Sequence, residues 1–428
     1  MKILVVGGGG REHALCWKIA QSPLVAKIYA APGNGGTDLE DKTVNVDIKA
    51  TDIDRLLEFA KREKIDLTVV GPEDPLAMGV VDAFTAEGLR AFGPNADAAQ
   101  LEASKAFAKE IMIDAGIPTA AYGEFTDLES AKDYVNKQGA PIVVKADGLA
   151  AGKGVTVART VEEAIGALEE IFVDNAFGEA GSKVVVEEFL DGEEASYLAF
   201  TDGITVLPMV SSQDHKPVYD DDKGPNTGGM GAYSPAPVVT DELFDFATEK
   251  IAYPLIKAMA DKGITFKGII YAGLMVTKNG TKVLEFNARF GDPETQPVLS
   301  RLKSDIVPVF FACVDQTLDK VEIEWNENPT VCVVMASGGY PKSYKKGYEI
   351  KGIAEADKLE GVKVFHAGTE TVDGKTVNTG GRVLGVTACG EGLADTIKLA
   401  YEAVKKIEWK DVHYRNDIGA KALKRLKK

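Results

Sequence analysis

The first hundred residues alternate between short apolar runs and longer stretches of helical periodicity. Apolar runs of this length, rich in Val, Ile and Leu, are typical of buried strands. Strands that alternate with helices at this spacing predict a parallel sheet with helices on both faces. The predicted strands lie at 2–7, 27–31, 67–70 and 90–92, and the predicted helices at 13–21, 52–63 and 76–87.

After residue 102 the pattern changes to a small insertion inside a larger unit. A helix at 104–115 precedes a glycine-punctuated β-α-β segment whose helix lies at 161–172. The predicted strands of this segment lie at 142–145, 155–158 and 184–189. We expect the segment to form a compact subdomain.

Longer strands with hairpin turns follow the insertion. Asp202-Gly203 and Asn279-Gly280 are dipeptides that favour tight turns between antiparallel strands, so 194–325 predicts a large antiparallel sheet. Further strands are predicted at 331–335, 363–367 and 382–388. The predicted fold class is α/β and α+β multidomain, with a parallel α/β domain (1–102), a central domain (103–122 with 194–325), a subdomain inserted in it (123–193) and an α+β domain (326–428).

Composition narrows the class of protein. The chain has 428 residues, 45% of them hydrophobic and 27% charged, which is typical of globular proteins and excludes collagen-like and disordered classes. Its net charge of −16 provides no general attraction for nucleic acid or an anionic membrane, so we expect neither as a partner. Any phosphate ligand must therefore be bound by a local group of residues.

The distribution of apolar, Cys and His residues excludes several kinds of site. Apolar runs such as 306–314 are far shorter than the ~20 residues of a membrane helix. The apolar start of the chain is too short for a signal peptide, so we expect a cytoplasmic location. The four Cys and four His residues do not have the spacings of zinc sites or disulfide frameworks.

The strand at 2–7 runs into four consecutive glycines. A strand, a glycine-rich turn and a helix together suit phosphate binding at the helix N-terminus. A dinucleotide site of the usual kind is disfavoured, because Glu12 replaces the third glycine and the second strand ends without an acidic residue for a ribose. The turn predicts binding of a phosphate of another ligand, with a tight turn that binds nothing as the alternative.

A second glycine-rich loop separates two strands of the insertion. It is not a P-loop, because only three residues separate Gly148 from Gly152, and Gly154 stands where Ser or Thr should bind magnesium. Its backbone N–H groups can cover a phosphate, and Lys145 and Lys153 supply positive charge. We predict a flap over nucleotide phosphates, with a hairpin bearing two solvated lysines as the alternative.

Two strand ends with acidic residues are further candidate ligand-binding sites. The strand at 184–189 enters an acidic turn that can bind adenine and ribose, although a charged strand end without a ligand fits equally well. Farther on, strand alternation places Glu285, Asn287 and Arg289 on one face of a strand with apolar neighbours. Two oxygen ligands and a guanidinium suit magnesium bound to nucleotide phosphates, with a surface ion-pair ladder as the alternative.

Taken in order, these segments resemble the ATP-grasp superfamily and, within it, the phosphoribosylamine–glycine ligase family, over nearly the whole chain. Two features are specific to that ligase family: the pairing of QDHK (213–216) with GPNTGGMGAYSP (224–235), and TGGRVLGV (379–386). The resemblance also rests on VVGGGGREHAL (5–15), VVGPEDPLAMG (69–79), FGPNADAAQLEASKAFAK (92–109), VVKADGLAAGKGV (143–155) and LEFNARFGDPETQ (284–296). It implies that 123–193 is the mobile lid of an ATP-grasp domain.

The resemblance also implies roles for individual residues. ATP would be bound by Lys105, Lys145, Gly152, Lys153, Glu187, Glu188, Leu190 and Glu194, with 148–154 closing over its phosphates. Magnesium or manganese would be held by Glu285 and Asn287, and the catalytic residues would be Lys145, Asp214 and Arg289. The substrates would be bound by Gly8, Gly9, Gly10, Asp214, His215, Lys216, Asn226, Thr227, Gly228, Gly229, Met230, Arg289, Pro293, Glu294, Thr295, Gln296 and Arg382.

The implied reaction joins glycine to 5-phosphoribosylamine through a glycyl phosphate, with ATP as co-substrate, in purine biosynthesis. We expect a monomeric enzyme that gives glycinamide ribonucleotide, ADP and phosphate. One alternative is another ATP-grasp carboxylate–amine ligase or a carboxylase of purine metabolism. An NAD-dependent oxidoreductase and a nucleotide-sensing module without catalysis are further alternatives. The QDHK and GPNTGGMG segments argue against the related ATP-grasp enzymes.

Overall fold

The computed structural model describes residues 1–148, 154–174 and 181–427. Its first part contains the strands β1 (Lys2–Gly7), β2 (Lys27–Pro32), β3 (Thr43–Asn45), β4 (Leu67–Val70) and β5 (Ala91–Phe92). Its helices are α1 (Gly10–Ala20), α2 (Ile53–Glu63), α3 (Glu73–Ala77), α4 (Val80–Ala86) and α5 (Ala96–Ala103). The strands form one parallel sheet in the order β3-β2-β1-β4-β5, which confirms the predicted fold class of this part.

Local chemistry explains where the helices of this part begin and break. Asp52 caps α2 by accepting a hydrogen bond from the backbone N–H of Arg55, as is common at helix starts. The single helix predicted at 76–87 is two helices, because Gly79 between them has a φ of +84°, which helices exclude. The short strand β3 has no apolar run that would have predicted it.

The insertion is larger than its sequence pattern suggests. After α6 (Lys105–Asp114), it contains β6 (Tyr122–Phe125), α7 (Leu128–Gln138), β7 (Ile142–Ala146), β8 (Val155–Ala158), α8 (Val161–Phe172) and β9 (Val184–Glu188). The strands form an antiparallel sheet in the order β6-β9-β7-β8, and α7 and α8 pack on it. The predicted β-α-β unit is present, and β6 and α7 extend it.

The next part contains many short strands. They are β10 (Gly192–Thr201), β11 (Val206–Pro208), β12 (Gln213–Asp214), β13 (Pro217–Tyr219), β14 (Lys223–Asn226), β15 (Gly231–Ser234), β16 (Gly268–Thr277) and β17 (Gly280–Asn287). The helices are α9 (Asp241–Ala247), α10 (Tyr253–Asp261), α11 (Thr295–Arg301) and α12 (Ile306–Asp315), with a π-helical turn at Thr248–Ala252. The antiparallel central sheet has the order β11-β10-β16-β17.

The last part forms a second antiparallel sheet. Its strands are β18 (Thr330–Ser337), β19 (Val362–His366), β20 (Thr369–Val372), β21 (Lys375–Asn378), β22 (Arg382–Cys389) and β23 (Val412–His413), and its helices are α13 (Ile353–Asp357), α14 (Leu393–Val404) and α15 (Ala420–Leu426). The sheet has the order β12-β15-β18-β22-β19, and β23 also pairs with β18. It therefore joins strands from both sides of residue 326, and the domain bounds given above stay a prediction.

None of the helices in the described residues is both long enough and apolar enough to cross a membrane.

Candidate active site

A cleft of about 1950 Å³, including its open mouth, lies between the sheet of the insertion (β6-β9-β7-β8, hereafter the lid sheet) and the central sheet. Helix α6 and the segment after β17 complete its walls. Sixteen of the residues predicted for the site line it. They are Lys105, Lys145, Glu187, Glu188, Leu190, Glu194, Asp214, Lys216, Asn226, Thr227, Gly228, Glu285, Asn287, Arg289, Glu294 and Arg382.

One side of the cleft is an apolar slot. Val143 on β7 and Val157 on β8 are paired neighbours in the lid sheet, and both line the cleft. Leu190 and Met275 lie opposite them and pack against Leu284. A narrow apolar space with a few polar groups at its rim suits a planar base.

Three lysines lie beside this slot. Lys145 and Lys109 both contact the buried carboxylate of Glu187, with Nζ–Oε distances of 2.8 and 3.2 Å. Lys105 donates from Nζ to the carbonyl of Gly148 at 2.8 Å. Burial lowers the pKa of Lys105, and it lowers the pKa of Lys109 to about 8 despite the nearby Glu187.

The two glutamates predicted to hold adenine have other side-chain partners. The carboxylate of Glu187 contacts Lys109 and Lys145. That of Glu188 accepts hydrogen bonds from Lys282 Nζ at 2.9 Å and from the backbone N–H of Ala121 at 3.3 Å. Strand alternation in β9 sends the two side chains to opposite faces of the sheet. Both residues line the cleft, so their backbone groups remain available to a base.

The loop predicted to cover the phosphates begins and ends in the cleft wall, at Gly148 and Gly154. Gly152 and Lys153, and with them most of the predicted flap 148–154, lie outside the described residues.

Glu285 and Asn287 lie at the end of β17, and both line the cleft. Lys216 Nζ is 2.9 Å from Glu285 Oε1, and mainly this charge lowers the pKa of Glu285 to about 2, against the effect of burial. The described residues contain no cluster of three or more Cys, His, Asp and Glu that could hold a metal ion. A carboxylate and an amide oxygen are ligands that suit a magnesium ion with its other ligands from water and phosphate.

Arg289 lies beyond the end of β17, so it does not share the strand face with Glu285 as alternation predicted. It still lines the cleft, because two carboxylates hold it there: Glu102 Oε1 is 2.8 Å from Nη2, and Glu73 Oε2 is 3.2 Å from Nε. Burial raises the pKa of Glu102 to about 6 although Arg289 opposes it. Burial also acts to raise the pKa of Glu73, but Arg289 and Arg11 lower it to about 2.

Sequence reasoning missed these two carboxylates. Both lie in segments that carried the family resemblance, 69–79 and 92–109. An acidic residue in a helix or a turn is ordinary, and nothing near Glu73 or Glu102 in the sequence identifies Arg289 as the partner.

The 213–216 segment sends alternate side chains to different places. Asp214 and Lys216 enter the cleft, whereas His215 points away from it, with Nδ1 3.2 Å from the carbonyl oxygen of Gly231 and its ring 5.7 Å from that of Tyr233. Burial lowers the pKa of His215 to about 4. His215 therefore lies outside the cleft, and its predicted contact with substrate stays a prediction.

Burial and nearby charges also shift the pKa values of Asp214 and Lys216, the two neighbours of His215. It raises the pKa of Asp214 well above the ordinary value, against the effect of Lys216. For Lys216 burial acts in the lowering direction, but Glu285, Glu194 and Asp214 raise its pKa well above the ordinary value. The cleft thus keeps Lys216 charged.

A second cavity adjoins the cleft and shares Asp292 and Arg382 with it. Arg382 donates from Nη1 to the carbonyl oxygens of Asp292 and Gly228, at 2.6 and 2.7 Å. Gly8 and Gly9 form one wall of this cavity, and a Cβ atom on Gly8 would lie 2.4 Å from the carbonyl oxygen of Gly33. Gly8 therefore has no room for a side chain toward Gly33, and the glycine turn lines the cavity without side chains.

Gln296 lines the second cavity and donates from Nε2 to Asp292 Oδ1 at 2.9 Å. Its buried Oε1 has no hydrogen-bond partner among the described residues.

Besides His215, five predicted substrate residues line neither cavity and instead support the walls. Met230 is buried against Val218, Ala336 and Tyr340. Gly229, with a φ of +112°, packs on Pro293, where a Cβ atom would lie 2.4 Å from Cδ. Thr295 donates from Oγ1 to the carbonyl oxygen of Gly291 at the start of α11, and Gly10 begins α1 beside Gln296. Sequence spacing could not separate these residues from the lining ones.

A cleft between a small lid sheet and a central antiparallel sheet, with lysines on one wall and an acid–amide pair on the other, is the arrangement of ATP-grasp enzymes. Sequence profiles described as phosphoribosylglycinamide synthetase N domain, ATP-grasp (A) domain and C domain match residues 1–102, 103–295 and 330–421. The chain belongs to the phosphoribosylglycinamide synthetase family, as its sequence predicted.

Individual relatives cover the whole chain. Phosphoribosylamine–glycine ligases from Vibrio parahaemolyticus and Escherichia coli K12 are 55% and 56% identical to it, each over 99% of both chains. The crystal structure of the phosphoribosylamine–glycine ligase from Thermotoga maritima has a TM-score of 0.81 and 30% identity, covering 98% of this chain and 100% of that one. The biotin carboxylase of Campylobacter jejuni, at 15% identity and a TM-score of 0.73, shares the fold alone.

Proposed function

We propose that this chain joins glycine to 5-phosphoribosylamine at the expense of ATP, as an ADP-forming carbon–nitrogen ligase of purine biosynthesis. Its family membership supports this activity and bears out the activity that its sequence predicted. The junction of two cavities at Asp292 and Arg382 supports the assignment of this activity to one site. One cavity has the lysines and the apolar slot that ATP needs, and the other has a polar wall for a phosphorylated amine.

The chemistry requires an activated carboxylate. Glycine would attack the γ-phosphorus of ATP through a carboxylate oxygen, which gives glycyl phosphate and ADP. The amine of phosphoribosylamine would then attack the glycyl carbonyl carbon, and inorganic phosphate would leave as the amine loses a proton. Neither step needs a nucleophile from the protein, so catalysis rests on positioning and on neutralising charge.

Three cations of the chain would stabilise the transferred phosphoryl group. Lys105 and Lys145 lie on the side of the lid and α6, and Arg289 lies on the side of the central sheet. Glu73 and Glu102 hold the Arg289 guanidinium in one orientation before substrate binds. A donor that is already oriented loses little energy to reorganisation during reaction.

Glu285 and Asn287 would hold magnesium or manganese, which would neutralise part of the phosphate charge when bound. Lys216 now contacts Glu285, so it must turn away when a cation binds there. Glu194, with Oε2 3.7 Å from Lys216 Nζ, is an alternative partner for the lysine.

The amine and glycine would bind where the cavities meet. Asp214 would pair with the glycine ammonium group or with the incoming amine, and Arg382 would bind an anionic group. In the second cavity, the Asp292 carboxylate is an acceptor, which suits a ribose hydroxyl as donor.

The test is ADP release with each substrate omitted in turn, with phosphoribosylamine formed in the assay from ribose 5-phosphate and ammonia. We expect ADP only when glycine and phosphoribosylamine are both present. ADP release that depends on bicarbonate instead would favour a carboxylase, and nucleotide binding without turnover would favour a sensing module. We also propose that the enzyme is a cytoplasmic monomer. Light scattering of the purified protein measures its molar mass and so tests whether it is monomeric.

A further inference from the structure

A single amide connects the two walls of the second cavity. Asn34 follows β2 in a loop and is 8% exposed. Its Nδ2 donates to the carbonyl oxygen of Gly8 at 3.0 Å and to that of His366 at 2.8 Å, and it lies 3.3 Å from the carbonyl oxygen of Gly9. The two N–H groups of one side chain thus reach backbone from opposite ends of the chain.

The other atoms of Asn34 fix its own orientation. Its Oδ1 accepts from the backbone N–H groups of Gly36 and Thr37, at 2.9 and 3.1 Å. Its backbone N–H donates to Thr37 Oγ1 at 2.8 Å. An amide held on its acceptor side cannot flip without losing hydrogen bonds on both sides.

The partners of Asn34 lead directly into the cavity lining. Gly8 and Gly9 line one wall, and Ala367 and Gly368, which follow His366, line the other. The distance between the walls therefore depends on the bridge that Asn34 makes. Its own side chain does not line the cavity.

Other polar contacts join the same two elements beside the bridge. The backbone N–H of His366 donates to His13 Nδ1 at 2.7 Å. His13 Nε2 and Lys363 Nζ both contact Glu40 Oε1, at 2.8 and 2.6 Å. These contacts hold α1 and β19 together, so loss of the Asn34 bridge should displace the glycine turn without separating the two elements.

We propose that Asn34 is a positioning residue that sets the width of the second cavity and thereby the affinity for the phosphoribosyl substrate. This inference rests on the proposed function in one respect, that the second cavity binds this substrate. Asn34→Asp replaces the donating nitrogen by an oxygen that faces carbonyl oxygens, and it keeps the size and the acceptor side of the residue. Asn34→Ala removes the bridge without adding a charge.

A matched control is available in Asn378. It is also buried, donates from Nδ2 to Ser337 Oγ and the Lys345 carbonyl oxygen, at 2.7 and 2.9 Å, and accepts from the backbone N–H of Tyr348. It does not line the second cavity. Asn378→Ala therefore reports the effect of losing a buried amide elsewhere in the molecule.

The measurements are steady-state kinetics and calorimetric binding of ribose 5-phosphate in the absence of nucleotide. For Asn34→Asp and Asn34→Ala we expect the KM for phosphoribosylamine and the Kd for ribose 5-phosphate to rise about tenfold, the effect of about one buried hydrogen bond. We expect kcat and the KM for ATP to stay within about twofold of the parent, and Asn378→Ala to leave all four constants within the same range.

These results distinguish a failure of the inference about Asn34 from a failure of the proposed function. If the parent protein binds ribose 5-phosphate and both Asn34 variants bind it equally well, Asn34 does not position the cavity, while the proposed function stands. If Asn378→Ala weakens binding as much as the Asn34 variants, the effect is one of general stability and the inference is overturned. If the parent protein releases no ADP with glycine and phosphoribosylamine together, the proposed function itself fails. Should Asn34→Asp not fold, Asn34→Ala decides the matter.

Discussion

Lys216 places its Nζ 2.9 Å from Oε1 of Glu285, the carboxylate proposed to hold a divalent cation. The ammonium group thus neutralises Glu285 before any ligand arrives. Because both groups are only partly exposed, the pair forms a charged hydrogen bond that a cation must replace. The position of Lys216 therefore links occupation of the metal site to the freeing of a lysine beside Asp214 and Glu194.

Removal of Lys216 should reveal this competition. Lys216→Met leaves Glu285 without its cation, so we expect Mg-ATP to bind about fivefold more tightly in the absence of glycine, which corresponds to about 1 kcal/mol for a partly exposed ion pair. Isothermal titration calorimetry measures this directly. Lys262→Met, which removes a lysine paired with Glu110 and Asp114 on the surface, is the control. Weaker binding in Lys216→Met would mean that the lysine contacts the nucleotide instead.

Glu285→Gln should lower turnover by about a hundredfold or more, because the amide binds a divalent cation poorly and leaves the phosphate charge less neutralised. The measurement is kcat as a function of magnesium concentration. Glu110→Gln changes an exposed carboxylate in the same way and should leave turnover unchanged. Normal, magnesium-dependent turnover in Glu285→Gln would place the cation elsewhere.

Asp214→Ala should reduce ligase turnover while ATP binding hardly changes. If Asp214 pairs with the glycine ammonium or the incoming amine, its loss should cost about 2–5 kcal/mol in kcat/KM, as expected for truncation of one partner of a desolvated charge pair. Nucleotide binding and ligase turnover are measured separately. A parallel fall in both quantities, or unchanged turnover, would contradict this role.

The buried His215 should make stability depend on pH. Its pKa is lowered to about 4 in the folded chain, so the unfolded chain binds the extra proton between about pH 4 and 6.5. Stability is therefore lost as the pH falls through this window. Between about pH 7.5 and 5.5 the parent should lose about 1 kcal/mol more of its unfolding free energy than His215→Asn does. Denaturant unfolding at the two pH values measures the difference, and equal losses would show that His215 does not cause it.

Local sequence was sufficient to predict the elements whose residues all have similar surroundings. Every residue of β4 is buried, and its run of apolar residues predicted the strand with its observed bounds. The parallel order of the first sheet followed from the alternation of such runs with helices.

The sequence by itself determined the family, the first sheet, and the glutamate, asparagine and lysines of the cleft, because these depend on short segments of fixed geometry. Only the tertiary structure decided which groups meet across long separations. Arg289 finds Glu73, 216 residues away, and β15 pairs with β18 across a predicted domain boundary. Asn34 reaches both Gly8 and His366 for the same reason. Such contacts are set by how separate elements pack, and no periodicity along the chain encodes the distance between two packed elements.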